Sequence, residues 1–148
     1  MKQLFFLALL AIATGTSAFA GANTISTKVN DHFAAAFRNA KNVDWKTDAK
    51  FDKVSFVLDG KKVQAFYDVE GELIGTSKTW DFDKLPKSAL ETITTKYTYP
   101  DYQLKDCIEF VNSSNEKNYY VSFDKKNETI MLEITKGGMV SVFARIKK

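Results

Sequence analysis

The chain has one cysteine, Cys107, and one histidine, His32, among its 148 residues. A lone cysteine permits no intramolecular disulfide, so the fold must hold together through its core. One histidine and one cysteine cannot assemble a zinc site of ordinary type. A Cys–His nucleophile would need His32 and Cys107 to meet from distant parts of the chain, with a third group to orient them. Cys107 reads more simply as a small apolar strand residue. No serine sits in a nucleophile elbow, and no glycine-rich loop is present to cradle a phosphate. Asp81 and Asp83 flank Phe82, but a calcium loop needs more oxygen ligands and a glycine bend. Asp68, Glu70 and Glu72 gather at a turn tip, where solvated charge is the simpler account, and glycosidase-type carboxylates flank a cleft. The reading is therefore a non-enzyme with no catalytic residues, no metal ligands and no cofactor.

Charge of one sign is also lacking. The 21 basic residues face 18 acidic ones, and the two are interleaved, as in Asp52-Lys53 and Asp83-Lys84. No basic stripe marks a nucleic-acid surface, so no nucleic-acid partner is expected. Long hydrophobic runs are missing except at the start. Lys2 precedes an apolar run from Leu4 to Ala13, too short to span a bilayer, and Ala18-Phe19-Ala20 forms a small-x-small site. This predicts a secretory leader over residues 1–20, cleaved after Ala20 to leave Gly21–Lys148. No cysteine lies near the site to take a lipid. The expected product has no stable membrane anchor and resides in a periplasm or outside the cell.

What the chain does have is aromatic area, with twelve Phe, six Tyr and two Trp, and a repeat. Laying Val54–Ile74 over Val121–Ser141, at an offset of 67 residues, places Phe56 on Phe123, Val63 on Ile130, Ala65 on Leu132, Tyr67 on Ile134 and Gly71 on Gly138. Each copy begins with a helix. Val29, Phe33, Ala36, Phe37 and Ala40 line one face of a helix predicted over 26–40, with Ser26 as its N-cap. Leu90, Ile93 and Tyr97 do the same for a helix beginning near Leu85-Pro86 and ending by Tyr99-Pro100. Alternating strands follow each helix, with Asp59-Gly60 as the strongest hairpin signal. The bridge Trp80–Lys84 is short and has no Gly, Ser or Pro run. The prediction is one α+β domain over 21–148, built from repeats at about 26–80 and 85–148.

Two helices cannot cover both faces of such a meander. The inward set should be Val54, Phe56, Val63, Ala65, Tyr67, Val121, Phe123, Ile130, Leu132, Ile134, Val140, Val142 and Ile146. The other face should be open, yet it carries Phe66, Tyr120, Met131 and Phe143, with Arg145 beside them. Aromatics, Met and Arg are the residues enriched in interface cores. These five are the candidate partner-binding residues.

The segments Phe37-Arg38-Asn39-Ala40-Lys41-Asn42-Val43-Asp44-Trp45, Val54-Ser55-Phe56, Asp59-Gly60-Lys61-Lys62-Val63, Ala65-Phe66-Tyr67-Asp68, Gly71-Glu72-Leu73-Ile74-Gly75, Leu85-Pro86 and Lys96-Tyr97 together resemble the PepSY-like, or β-lactamase-inhibitor-like, secreted proteins of Bacteroidetes. The resemblance runs from about Val29 to Lys147. It departs at Arg38, where that family often has proline, which bears on how the first helix ends. It implies tandem helix-plus-meander repeats forming one curved antiparallel sheet, with both helices on one face. It also implies a concave face that docks a partner enzyme, and no catalytic residues. The functional expectation is a periplasmic or secreted protein-binding module, an inhibitor of an envelope or secreted hydrolase of peptidase or β-lactamase type. The alternatives are a small-ligand or envelope-stress sensor using a pocket between sheet and helices, and a structural protein that pairs with its own copy.

Overall fold

The computed structural model describes residues 24–47 and 49–148; the expected leader and its cleavage site lie outside the described residues. Among the described residues there are two α-helices, α1 (Thr27–Ala36) and α2 (Lys87–Lys96). The strands are β1 (Lys41–Thr47), β2 (Phe51–Leu58), β3 (Lys61–Asp68), β4 (Leu73–Thr79), β5 (Gln103–Asn112), β6 (Lys117–Lys125), β7 (Glu128–Thr135) and β8 (Val140–Lys147). They form one eight-stranded antiparallel sheet in sequential order, β1 to β8. The α+β meander predicted from the alternation is the fold observed.

The described chain divides into two compact units. The first holds 24–78 with Val111–Glu116, and the second holds Thr79–Phe110 with Lys117–Lys148. The tip of the β5–β6 hairpin therefore belongs with the first repeat, tied there by the Ser113 N–H donating to the Ile74 carbonyl at 3.0 Å.

In the first unit α1 starts as expected, with the Ser26 hydroxyl accepting from the Val29 N–H at 3.3 Å. It ends earlier than the periodicity suggests. Phe37 leaves helical backbone at φ −125°, ψ 54°, and the Ala40 N–H closes a turn onto the Phe37 carbonyl at 2.9 Å. Phe37 and Ala40 still pack on the core from this turn, so their apolar spacing extends beyond the helix itself. Val29 and Phe33 of α1 meet Val54 and Phe56 of β2 and Ala65 and Tyr67 of β3. The Phe33 ring lies edge-on to Phe56 and Trp45, at 5.1 and 5.2 Å between centroids.

The second unit repeats the plan. Ala89 and Ile93 of α2 pack on Cys107, Tyr119, Val121, Phe123, Ile130, Leu132 and Ile134. Burying each such side chain is worth roughly 1.5–3 kcal/mol, so the sheet-to-helix layer supplies most of the stability of either unit. The duplication extends to register. Val54 pairs with Ala65 and Phe56 with Val63 in one hairpin, and Val121 pairs with Leu132 and Phe123 with Ile130 in the other. Each pairing is the first displaced by 67 residues.

The repeats differ at one bulge. In β3–β4 the register shifts between Phe66 and Tyr67, whereas in β7–β8 it shifts between Met131 and Leu132. In the second case Phe143 is the extra residue: Leu132 faces Val142, but Met131 faces Ala144. A bulge displaces every later residue by one place and so exchanges the faces. Ile146, expected on the core side, instead pairs with Thr129, a residue on the side away from α2. Val142 does face the core side, as expected, but is 46% exposed because β8 is an edge strand.

Two glycines in turns give a direct test of this geometry. Gly60 (φ +77°) has open space where a Cβ would be, whereas at Gly138 (φ +88°) a Cβ would collide with Ser88 Oγ and come within 3.1 Å of Pro86 Cβ. Gly60→Ala should cost about 1–2 kcal/mol, the left-handed backbone term alone. Gly138→Ala should cost clearly more, because the turn must also move off α2. Denaturant midpoints of the two variants compare them directly, and equal losses would mean that the turn does not touch the helix.

Candidate partner-binding face

Alternation along the strands fixes which side chains stand opposite the helices. In the first unit, Lys53 and Ser55 of β2 pair with Phe66 and Gln64 of β3, and these in turn face Gly75 and Ser77 of β4. In the second unit, Tyr120 and Ser122 of β6 pair with Glu133 and Met131 of β7. None of these side chains belongs to either helix-packed core cluster.

Among the described residues this face is helix-free, and four of the five predicted residues fall on it. Phe66 is 2% exposed, Tyr120 4% and Met131 1%, so at these positions the face is not solvent-open as the sequence suggested. Tyr120 packs edge to face with Phe143 at 5.5 Å and with Phe110 at 6.5 Å, and Phe66 lies tilted against Phe51 at 6.3 Å. The bulge at Phe143 puts that ring against Tyr120. The Tyr120 hydroxyl donates to Glu133 Oε1 at 2.8 Å, and Asn118 Nδ2 donates to the same oxygen at 3.0 Å. Burial, followed by the Glu133 carboxylate, pushes the Tyr120 hydroxyl far above the ordinary tyrosine range.

Arg145 is a correction. The bulge carries it across from Ile130, on the helix side of the sheet. There its Nη1 lies 3.2 Å from Glu128 Oε1. The uniform alternation assumed for β8 missed the extra residue, so Arg145 is not part of this face.

The structure also buries residues that alternation along the strands either does not single out or, as with Gln64 and Ser122, puts on this face as open positions. Ile108 and Phe110 of β5 are buried, as are Gln64, Ser77, Ser122 and Lys53. Gln64 Nε2 donates to Ser55 Oγ at 3.3 Å, but Gln64 Oε1 and Ser77 Oγ find no hydrogen-bond partner among the described residues. Leaving such a group buried and unsatisfied costs about 1–3 kcal/mol. Lys53 was invisible because lysine reads as surface; only its place beside Phe66 in a fixed register reveals it. Burial, then the neighbouring Lys46, lowers the Lys53 ammonium below its ordinary range, opposed by Asp44.

The remaining candidate chemistry lies elsewhere. His32 Nδ1 is hydrogen bonded to the Tyr67 hydroxyl at 3.0 Å, and burial pushes that hydroxyl up to about 12. Cys107 is buried against α2, and burial, with Asp81 and Asp106 behind it, pushes its thiol up to about 12. It is a protonated core residue near neutrality, not a nucleophile. Among the described residues no group of three His, Cys, Asp or Glu is placed to hold a metal ion, and no described helix is long and apolar enough to cross a membrane.

No family model matches the chain, and no curated protein matches it. Solved structures do. A BLIP-like protein of Bacteroides fragilis matches with a TM-score of 0.69 over 86% of this chain and 91% of its own, at 15% identity. A DUF2874 family protein of Bacteroides uniformis matches at 0.69, over 84% and 90%, at 12% identity. A protein of Bacteroides eggerthii, provisionally described as periplasmic, matches at 0.70 over the same shares and at the same 12% identity. At these identities the likeness establishes the fold. The chain thus has the β-lactamase-inhibitor-like architecture that its sequence resemblance implies.

The buried lysine makes a measurable prediction. Replacing Lys53 by Met should raise the melting temperature at pH 7, by about 2–4 °C for a gain near 1 kcal/mol. The gap should narrow as the pH approaches 10.5. The wild-type ammonium, with its folded pKa depressed, loses its proton earlier when folded than when unfolded, so wild-type stability rises over that interval. A variant less stable than wild type at pH 7 would show that Lys53 has a favourable partner.

Proposed function

We propose that this chain is a non-enzymatic protein-binding module of the periplasm or the extracellular space, that it inhibits an envelope or secreted hydrolase, and that it binds through the helix-free face. One observation carries the reading. Phe66, Tyr120 and Met131 are large, apolar and buried, each on the side of the sheet away from the helix of its own unit, beside polar atoms that the described chain leaves unsatisfied. An antiparallel sheet with a solvated side alternates apolar-in and polar-out; this one places Phe66, Tyr120 and Met131, all buried, among its polar positions. Aromatics with a neighbouring Met have the composition of interface cores. The β-lactamase-inhibitor-like architecture supports the same reading by analogy of fold.

The test is capture. The chain beginning at Gly21, which retains every described helix and strand, is immobilised and exposed to the periplasmic and secreted fraction of its own source. The expected result is a hydrolase retained by the wild type and lost by a Tyr120→Ala/Phe143→Ala variant that still melts cooperatively. For the purified pair, either single substitution should weaken binding about 30-fold or more, the loss of a central anchor worth about 2 kcal/mol. An unchanged dissociation constant in both would put the binding surface elsewhere.

A further inference from the structure

At one end of its strands the first unit has a cleft that is open to solvent. It lies where the turn after α1 meets the Asp59-Gly60 turn between β2 and β3. Its volume is about 510 Å³, and Arg38, Lys41 and Asp59 line it together with Asn39, Val57 and Gly60. All of these are exposed except Val57, which is half-buried. Small-molecule sites span about 300–1,000 Å³, so the cleft has room for more than a lone ion, and its walls suit a polar ligand. Three charges share it. Among the described residues Arg38, Lys41 and Asp59 have no side-chain hydrogen bond and no ion pair. The local structure does not call for these charges. Arg38 follows the Phe37 cap of α1 without the bond to a terminal carbonyl that a basic residue can make at a helix end. Lys41 pairs with Val57 at the start of β1, which many strand residues could do. Asp59 has φ 50°, a conformation that asparagine adopts as readily in such a turn, so the turn does not need a carboxylate. At Gly60 nothing lies within 4 Å of where a Cβ would be, so the cleft stays clear on that side.

We infer that this cleft binds a short zwitterionic peptide of the dipeptide class, its carboxylate held by Arg38 and Lys41 and its ammonium by Asp59. A ligand with both signs pairs every charge in the cleft. A simple anion would meet Arg38 and Lys41 but be repelled by Asp59, and a simple cation would meet Asp59 but be repelled by the other two. A guanidinium binds a carboxylate through two parallel hydrogen bonds, so the carboxylate end sets most of the affinity. The ammonium end then selects a zwitterion over a plain carboxylate. Exposed ion pairs are individually weak, so the site discriminates by charge pattern and not by tight binding. Phe66, Tyr120, Met131 and Phe143 do not line the cleft, so this site stands whether or not the helix-free face is the docking surface.

The probes are L-alanyl-L-alanine, its N-acetyl form, its C-terminal amide and inorganic phosphate, each titrated at low salt into the 15N-labelled chain beginning at Gly21. Acetylation removes the ammonium, and amidation removes the carboxylate. The expected result is that the dipeptide shifts the amides of Asn39, Lys41, Val57 and Gly60, that each blocked form binds about tenfold more weakly, and that these differences shrink as salt is added. Asp59→Asn, which keeps the turn, should bring the acetyl form level with the dipeptide and leave the amide weaker. Arg38→Gln/Lys41→Gln should bring the amide level instead. Tyr120→Ala/Phe143→Ala should bind the dipeptide as the wild type does, and thermal melts confirm that every variant folds. Equal affinities for the dipeptide and its blocked forms, no shift at these amides from any probe, or phosphate binding as tightly as the dipeptide would overturn the inference. A preference over only one blocked form would also overturn it, because that marks a simple anion or cation site.

Discussion

A one-residue slip of β2 or β3 would turn Val54 or Ala65 away from α1 and bring Ser55 or Gln64 into its place, and a slip of β6 or β7 would do the same to Val121 or Leu132, with Ser122 or Met131. The identical register of the two hairpins is the constraint on which the rest depends. It is held from both ends. The two-residue turn at Asp59-Gly60, with positive φ at both residues, sets the pairing at one end of the first hairpin. The helix-packed clusters reward only that pairing along its length.

Fixing that register creates the second face as a consequence. Once Val54, Phe56, Ala65 and Tyr67 are committed to α1, the intervening residues must stand opposite, whatever they are. In most half-covered sheets they are polar and solvated. Here they include Phe66, Tyr120 and Met131, with Lys53 beside Phe66. None of these belongs to the helix-side core clusters, and burial lowers the Lys53 ammonium below its ordinary range. The functional reading therefore concentrates there and not on Cys107, packed into the α2 core, or His32, hydrogen bonded to the Tyr67 hydroxyl. Both edges of the sheet are irregular. β1 has Asn42 at positive φ with a register shift beside it, and β8 carries the Phe143 bulge. Irregular edges discourage strand addition.

Much of this was legible from residue order, and the exceptions have physical causes. Alternation in Val54–Leu58 and Tyr119–Phe123 named the core residues correctly, because a period of two has one answer once one face is buried. Ser26 was readable as a cap because its hydroxyl does local work. The end of α1 was not readable: Phe37 and Ala40 continue a helical spacing, yet they reach the core from a turn. Arg145 and Ile146 were placed on the wrong faces for a single reason, the extra residue at Phe143, which no turn signal or composition change announces. Phe66, Tyr120, Met131 and Phe143 were found because large apolar side chains are conspicuous at polar positions. Lys53 and the unsatisfied Gln64 and Ser77 were missed because polar residues at polar positions are not. Their meaning comes from burial and cross-strand neighbours, which only three dimensions supply.

The most direct test of the central claim uses the two methionines of the chain that begins at Gly21. Met131 lies on the helix-free face, and Met139 lies beyond it in the β7–β8 turn, 70% exposed. With both methyl groups 13C-labelled and the partner protein saturated, cross-saturation reports which methyl the partner touches. The account predicts transfer to Met131 and little to Met139. Transfer to Met139 with none to Met131 would contradict it, placing the partner at the turn and leaving the apolar helix-free face without a role in binding.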